Sequence, residues 1–490
     1  MRPKKAQILL GLALLFGLYL RLRVAMGRAD MFWPDEQFQT LEPAAKAVFG
    51  YGYMAWEWLE GYRSWFVPLL YMPVVKIGSW LGFQSGLESI HWARSITACF
   101  DVAMWWVVAR TLLNLGIPFW AVLTALSTQL FFPMPVRWAA STLQDHVLML
   151  FVGFSFPWIL NADDGRKASG FNKGLAIGLP FLVKIQSAAW IVVMLALDFF
   201  RKGKSKMLLF GAFLSFLGYG LLDWISWGRP YQTLLRQLED GNKISIFYGT
   251  EPASFYFKEF IQVVGTPAMV LMATLVFRII FFSNVSLKIK ELKKGIPESL
   301  LTLAAGFIVF FLALTALPHK EFRFLLPWIP VWTAWIAVLL PKAFKADSWF
   351  QARSARFQRL MPWVWVGLTL GLLQPLANWA LQVPIYLTTT DISELEDRIS
   401  KDARRKDGVT PCVVLASHNW SWSRGNMILG QKMDYVETRD ARPVLETQFQ
   451  NCSYAIVQAK EVAYFEGTWM GWKALGPAQG FWALLKNGSK

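Results

Sequence analysis

The feature that most constrains this chain is a succession of long apolar runs separated by short segments that hold most of its charge. Ile8–Leu20, Met207–Leu222, Leu300–Leu317 and Trp363–Leu373 contain no charged side chain. Crossing a hydrocarbon core about 30 Å thick takes about 20 residues, and each run starts or fills such a crossing. A chain of 490 residues that is 55% hydrophobic and 17% charged is poor material for a water-soluble globule. Its 26 Trp residues fit the same reading, because indole rings favour the lipid–water boundary. The sequence predicts a mainly α, polytopic integral membrane protein.

A formal net charge of +16 invites a nucleic-acid partner, but its distribution argues for none. The cations gather in Arg2-Pro-Lys-Lys5, Arg201–Lys206, Lys288–Lys294 and Lys342–Arg359, with no basic helix or stacking platform beside them. Short basic loops are retained in the cytoplasm, so orientation accounts for the excess. Spans are expected near 6–26, 64–83, 91–110, 117–133, 141–160, 173–200, 207–227, 262–283, 298–317, 324–341 and 362–383, about eleven in all. With the N-terminus inside, the basic loops at 201–206, 284–297 and 342–361 all fall inside. The same parity puts 27–63, 228–261, 318–323 and 384–490 outside. The 173–200 stretch is too long for one untilted crossing and carries Lys184, so it is either broken or two short passages. The latter reading moves the loops near 134–140 and 161–172. The first run has the look of a signal peptide, yet Arg21-Leu-Arg23 stands where a small-residue cleavage site belongs, which predicts an uncleaved span.

Two regions follow: a transmembrane catalytic region, 1–383, and a soluble extracytoplasmic domain, 384–490. In the first outer loop, 27–63, Gln37, Leu41, Ala44, Ala45 and Val48 recur at helical spacing and predict a helix lying in the interface. In the C-terminal part, Cys412–Ala416 and Tyr454–Val457 look like buried strands of a small α/β domain. Cys412 and Cys452 either pair or remain thiols. No internal repeat is visible, which disfavours transporters built from duplicated halves.

Two polar islands carry the candidate chemistry. In the first, Asp35 and Glu36 follow Pro34 just beyond the first span. A positioned carboxylate can take the proton of an attacking hydroxyl, although a carboxylate here could equally answer a helix dipole. Trp56-Glu57-Trp58 sets a carboxylate between two indoles suited to the apolar face of a sugar. Arg63 is the candidate partner of Glu57, or a phosphate contact. The second island is His319-Lys320-Glu321-Phe322-Arg323-Phe324. Three cations on an outer loop run against the charge rule, and a leaving phosphate supplies a reason for them. If the segment is helical, His319 and Arg323 share a face, with Glu321 orienting a cation. Lys184 with Gln186, and Tyr248 in the Phe247–Pro252 turn, are weaker substrate-binding candidates, and Gln144 and Asp145 read equally as polar intramembrane contacts. Neither a metal motif nor a nucleotide-binding loop occurs, so no cofactor and no metal is expected.

At Pro34-Asp-Glu, Phe49-Gly-Tyr-Gly-Tyr53, Trp56-Glu-Trp58, Arg63-Ser64, Phe247-Tyr-Gly-Thr250 and His319-Lys-Glu-Phe-Arg-Phe324 the chain resembles the lipid-phosphate-mannose-dependent mannosyltransferases of glycosyltransferase family 22, and within it looks most like the GPI mannosyltransferase III type. The resemblance covers roughly 1–383. It implies a GT-C-like membrane fold and inverting transfer of mannose from dolichyl- or polyprenyl-phosphate mannose to a lipid-linked glycan acceptor. The site is then lumenal or extracytoplasmic, in the endoplasmic reticulum membrane of a eukaryote or the cytoplasmic membrane of a bacterium. It implies Asp35 as base with Glu36 adjacent, and His319, Lys320, Glu321 and Arg323 around the phosphate. Three positions depart from the family pattern: Ala55 where Thr is frequent, Lys184 where Arg is favoured, and Ser141-Thr-Leu-Gln-Asp145 where Arg-Thr-x-x-Asn is usual. Competing readings are a GT-C enzyme using another lipid-linked sugar, a lipid-linked sugar transporter or flippase, and a structural subunit.

Overall fold

The computed structural model describes residues 3–27, 34–50, 52, 54–83, 86–160, 167–201, 205–247, 249–264, 268–269, 271–273, 296–346, 399 and five strands between 412 and 487. The expected span 362–383 and most of 262–283 lie outside these residues, as does the Cys412–Cys452 question.

Helix α1 (Pro3–Gly27) is followed by an outer segment. In it α2 (Pro34–Glu36), a π-helical turn (Gln37–Leu41) and α3 (Glu42–Phe49) run on from one another. Gly50, at φ 76°, ends α3 in the left-handed conformation open to glycine. Then come α4 (Trp56–Leu59), α5 (Phe66–Trp80), α6 (Gly86–Asn114), α7 (Phe119–Leu130), α8 (Pro133–Trp138) and α9 (Gln144–Leu160). They are followed by α10 (Lys167–Gly178), α11 (Pro180–Val183), a 3₁₀ turn (Ile185–Ser187), α12 (Ala188–Arg201) and α13 (Lys206–Trp227). The remaining helices are α14 (Gln232–Phe247), α15 (Phe255–Val264), α16 (Glu298–Ala316) and, after a 3₁₀ turn (Phe322–Leu325), α17 (Trp328–Ala346). Four of these, α1, α6, α13 and α16, are long and apolar enough to cross a membrane, and six more are shorter apolar helices.

Side-chain contacts fix the direction of each pass. Arg21, late in α1, donates to Asp101 of α6 at 2.7 Å. Ala6, Gln7, Leu10 and Gly11, early in α1, line one cavity with Trp106, Arg110 and Leu113, late in α6. The two helices are therefore antiparallel, and nothing between them completes a crossing. This corrects the expected span 64–83. Helix α5 has 15 residues with Pro73 inside, about 22 Å of helix. It lies along the first half of α6, where Tyr71 meets Thr97 at 2.7 Å and Trp92 Nε1 donates to the Val74 carbonyl at 2.8 Å.

At 173–200 the structure takes the second of the two expected readings. Ser155 of α9 donates to the Ala176 carbonyl of α10, Lys184 reaches Asp145 at the start of α9, and Asp198 of α12 returns to Lys173. The chain goes up through α10 and α11, reverses at Lys184, and comes back through α12: two passages. The two changes offset one another. Among the described residues, those at 205–206, 228–247 and 318–323 keep their expected ends of the molecule, whereas 134–140 moves to the end holding Lys184 and Asp145. Arg110 and Lys173 now share the end of the basic segments, in better agreement with the charge rule.

The helices pack closely. A Cβ added to Gly174 would collide with the Leu208 carbonyl, and one on Gly211 with the Phe171 carbonyl, so α10 and α13 meet backbone to backbone. The segment 36–45 is buried on all sides rather than half exposed as an interfacial helix would be. Its polar groups find protein partners: Glu36 accepts from Arg94, Gln37 donates to Glu42, and Gln39 to Glu57. Among the C-terminal residues, β1 (Cys412–Ala416), β2 (Asp434–Thr438), β3 (Tyr454–Gln458), β4 (Trp472–Ala474) and β5 (Trp482–Asn487) form one mixed sheet in the order β2-β1-β3-β5-β4. The β1–β2 and β1–β3 pairs are parallel, and β3–β5 and β4–β5 are antiparallel. β1 and β3 fall on the two stretches expected to be strands.

Candidate active site

The first polar island and the second meet. Asp35, in α2, places Oδ2 2.6 Å from the Arg323 guanidinium. Arg323 is carried not by an α-helix but by the short 3₁₀ turn, and the residues before it form a loop with Glu321 extended at φ −132°, ψ 139°. The expected shared helical face of His319 and Arg323 is thus replaced by a carboxylate bridge. Glu321 Oε1 lies 3.0 Å from His319 Nε2 and 2.9 Å from Arg323, and Oε2 is 2.5 Å from Arg323 Nε. The loop is docked on the end of α14 and the turn after it: the His319 amide donates to Ser245 Oγ, His319 Nδ1 faces the Gly249 carbonyl, and the Glu251 amide donates to the Pro318 carbonyl.

Asp145 completes the cluster from below. Its Oδ1 is 2.5 Å from Lys184 Nζ and its Oδ2 is 3.9 Å from Arg323 Nε. Lys184 also stands 4.2 Å from the centre of the Phe324 ring, within cation–π range. Arg323 therefore has three carboxylates around it and is itself nearly enclosed. Burial works against its charge, yet Asp35, Glu321 and Asp145 outweigh that and raise the guanidinium above its ordinary range. Burial likewise pushes Glu321 up, but Arg323 and then His319 overcome it and hold the carboxyl at about 2. The hydrogen bond from Glu321 raises His319 in spite of its partial burial.

A second ion pair flanks the first. Arg63 donates to Glu57 through NH2 at 2.6 Å and Nε at 3.0 Å, and Gln39 adds a third donor at 3.1 Å. The bidentate form fixes both orientation and distance.

Other candidates take different places. Trp58 is 1% exposed, donates Nε1 to the Phe38 carbonyl and packs on Trp65 and Trp227. It is a core residue with no face for a sugar; Trp56, half-buried against Tyr62, keeps more of its surface. Lys320 gives its ammonium to the carbonyls of Leu317, Glu251 and Pro318, at 2.5, 2.7 and 3.4 Å, which makes it a loop fastener instead of a phosphate charge. Glu36 is fully enclosed, accepting from Arg94 Nε and the Thr142 amide at 3.3 Å each. It faces away from the solvent that reaches Asp35. Gln186 leaves Oε1 buried with no hydrogen-bond partner among the described residues. Tyr248 lies outside the described residues.

Arg94 is the residue the sequence reading passed over, and Asp145 is one it left evenly between a site residue and a polar intramembrane contact. Asp145 had a usable signal. It and Lys184 are opposite charges in neighbouring apolar stretches, and in a low-dielectric interior each needs a counter-charge.

A sequence profile of the Alg9-like mannosyltransferase family matches residues 12–420, which is most of the chain. The protein belongs to that family. Among similar family proteins, GPI mannosyltransferase 3 of Drosophila melanogaster is 29% identical over 61% of this chain and 50% of its own length. GPI alpha-1,2-mannosyltransferase 3 of Mus musculus is 26% identical over 64% of this chain and 56% of its own. The chain spans about half to three fifths of the length of the curated relatives it matches. Among solved structures, ArnT from Cupriavidus metallidurans bound to undecaprenyl phosphate superposes with a TM-score of 0.62, covering 99% of this chain and 98% of that one at 12% identity. Its apo form gives 0.63 at 13% identity, covering 100% and 99%. This family member accordingly has the polytopic GT-C-like fold expected from its sequence.

Proposed function

We propose that this protein is an inverting mannosyltransferase that takes mannose from a dolichyl- or polyprenyl-phosphate carrier and delivers it to a lipid-linked glycan acceptor. The observation that carries the reading is the 2.6 Å approach of Asp35 to Arg323, which joins a solvent-reached carboxylate to a cation cluster at one end of a membrane bundle. Family membership supports mannose as the sugar, and the names of the relatives support a GPI-type acceptor.

The geometry supports the following chemistry. The acceptor oxygen attacks the anomeric carbon of the bound mannose as the bond from that carbon to the phosphate oxygen breaks. Asp35 takes the acceptor proton in the same step. The sugar passes through an oxocarbenium-like state, and the carrier departs as a phosphate with one more negative charge than it had. Arg323 and a protonated His319 face that charge, and Glu321 keeps both aimed. When the donor arrives, Arg323 exchanges Asp35 for a phosphate oxygen, which releases the carboxylate to act as base. Glu57, held by Arg63 and Gln39, and the half-buried Trp56 position sugar. The C-terminal sheet belongs to a separate soluble domain, 384–490, on the same outer, non-cytoplasmic side as the site. That side is the lumen of the endoplasmic reticulum in a eukaryote and the outer face of the cytoplasmic membrane in a bacterium.

The test is mannose transfer from synthetic polyprenyl-phosphate mannose by the purified protein. Transfer should collapse in Asp35→Asn while the protein remains folded. Near-full rate in that variant removes Asp35 as base, and turnover with a different lipid-phosphate sugar, but not mannose, removes the donor assignment.

A further inference from the structure

Two lysines stand at the site, Lys320 buried and Lys184 mostly so, and their hydrogen bonding differs. An ammonium has three N–H donors. Lys320 gives its three to three carbonyls and has nothing left for a ligand. Lys184 gives one to Asp145, and the Phe324 face lies against the cation. Among the described residues no other hydrogen-bond partner for that ammonium is present. The residue sits at the reversal between α11 and α12 with extended backbone, φ −154°, ψ 124°, so its direction is set by the chain break and not by a helix face.

Asp145 is also shared. One of its oxygens holds Lys184 and the other faces Arg323. A carboxylate set between two cations at this spacing occupies the place where the oxygens of a tetrahedral phosphate would engage both.

We propose that Asp145 is a displaceable counter-ion: it neutralises Lys184 and Arg323 in the empty site, and the phosphate of a polyprenyl phosphate takes its place on Lys184 when the lipid binds. The proposal rests on the lipid-phosphate reading above and assigns to Lys184 the phosphate contact that Lys320 cannot make. It has a thermodynamic consequence of definite sign. A ligand shifts a state only by its differential interaction with the alternatives, and here a built-in anion competes with it. Removing the competitor leaves the nearly enclosed Lys184 ammonium without its counter-charge in the empty protein, while Arg323 keeps Asp35 and Glu321, so an incoming phosphate gains by restoring the balance at Lys184. A residue that merely supported the site would do the opposite.

The experiment measures binding of undecaprenyl phosphate, without sugar, to the full-length protein in lipid nanodiscs. Wild type, Asp145→Asn, Lys184→Gln and the double variant are compared, with chromatographic profile and thermal unfolding to confirm folding. Asp145→Asn should tighten binding several-fold and make the lipid phosphate a stronger product inhibitor, lowering kcat through slow release while KM for the donor falls. Lys184→Gln should weaken binding by about tenfold or more, and in the double variant the gain from Asp145→Asn should disappear. Asp145→Asn weakening binding as much as Lys184→Gln overturns the proposal, as does unchanged binding in Lys184→Gln. Should Asp145→Asn not fold, Lys184→Gln alone decides. Because the probe carries no sugar, a negative result with mannose transfer intact sinks only the counter-ion. Tight lipid-phosphate binding with no transfer sinks the mannose reading and leaves the counter-ion standing.

Discussion

Two clusters of charge sit within the helical bundle, built from similar side chains and finished differently. In one, Arg21 donates to Asp101 and to the carbonyls of Gly17, Leu130 and Gln129, and His146 bridges Asp101 to the Ser141 carbonyl. All three side chains are fully enclosed, and each nitrogen of the guanidinium donates to an oxygen of α1, α6 or α7. In the other, Asp35, Arg323, Glu321, His319, Asp145 and Lys184 also pair, but Asp35 and His319 are each 23% exposed and Lys184 has donors to spare. The first cluster ties passes together; the second is open to a ligand. Completeness of hydrogen bonding, more than the presence of charge, separates them.

The largest expected effect is on rate at the open cluster. Asp35→Asn should lower mannose transfer by on the order of 10²–10⁴ with little change in thermal unfolding. Next is the closed cluster. Arg21→Met leaves Asp101 without its cation and should cost about 3–5 kcal/mol of stability, read as lost monodisperse protein and a lower unfolding temperature. Transfer per folded molecule should change far less. If Arg21→Met instead abolishes turnover in a stable protein, the division between the clusters fails.

A smaller effect is tied to pH. The His319 value is raised, so its contribution is complete below the ordinary 6.5 and is lost as pH rises through the higher folded value. The Glu321 value is lowered to about 2, so its contribution is complete above the ordinary 4.5 and fades as pH falls toward 2. The unfolding-temperature difference between wild type and His319→Gln should therefore be greatest between 4.5 and 6.5 and shrink above that window. A difference that grows toward pH 9 contradicts the assigned bridge. The smallest effect belongs outside both clusters. Lys243→Ala removes an exposed ion pair with Asp240 on α14 and should leave transfer and unfolding within error.

Much of this was legible in the sequence, for reasons that also mark where legibility ends. Apolar length revealed α1, α13 and α16, because burial in lipid demands it. It misjudged α5, because an apolar helix against protein and one against lipid have the same composition. It left α10 to α12 between a broken span and two passages, because Lys184 marks an interruption of the apolar run without giving the direction of the chain beyond it. Asp35, Glu57, Arg63, His319, Glu321 and Arg323 stood out as charges that orientation did not require. Lys320 and Trp58 stood out equally, and only their partners show them to be loop fastener and core. Glu36 was indistinguishable from Asp35 until Arg94, 58 residues on, was seen to hold it. The role of Asp145 depended on a pairing with Lys184 across 39 residues that no spacing rule supplies.

The α10–α12 hairpin has a mechanical corollary. Lys173 and Asp198 clip its two legs together at 2.6 Å near the end remote from the site, while the glycines of α10 seat one leg flush on α13. Lys184 rides at the opposite tip of this stiff fork. Spreading the prongs at their base would therefore move Lys184 against Asp145 at the far end.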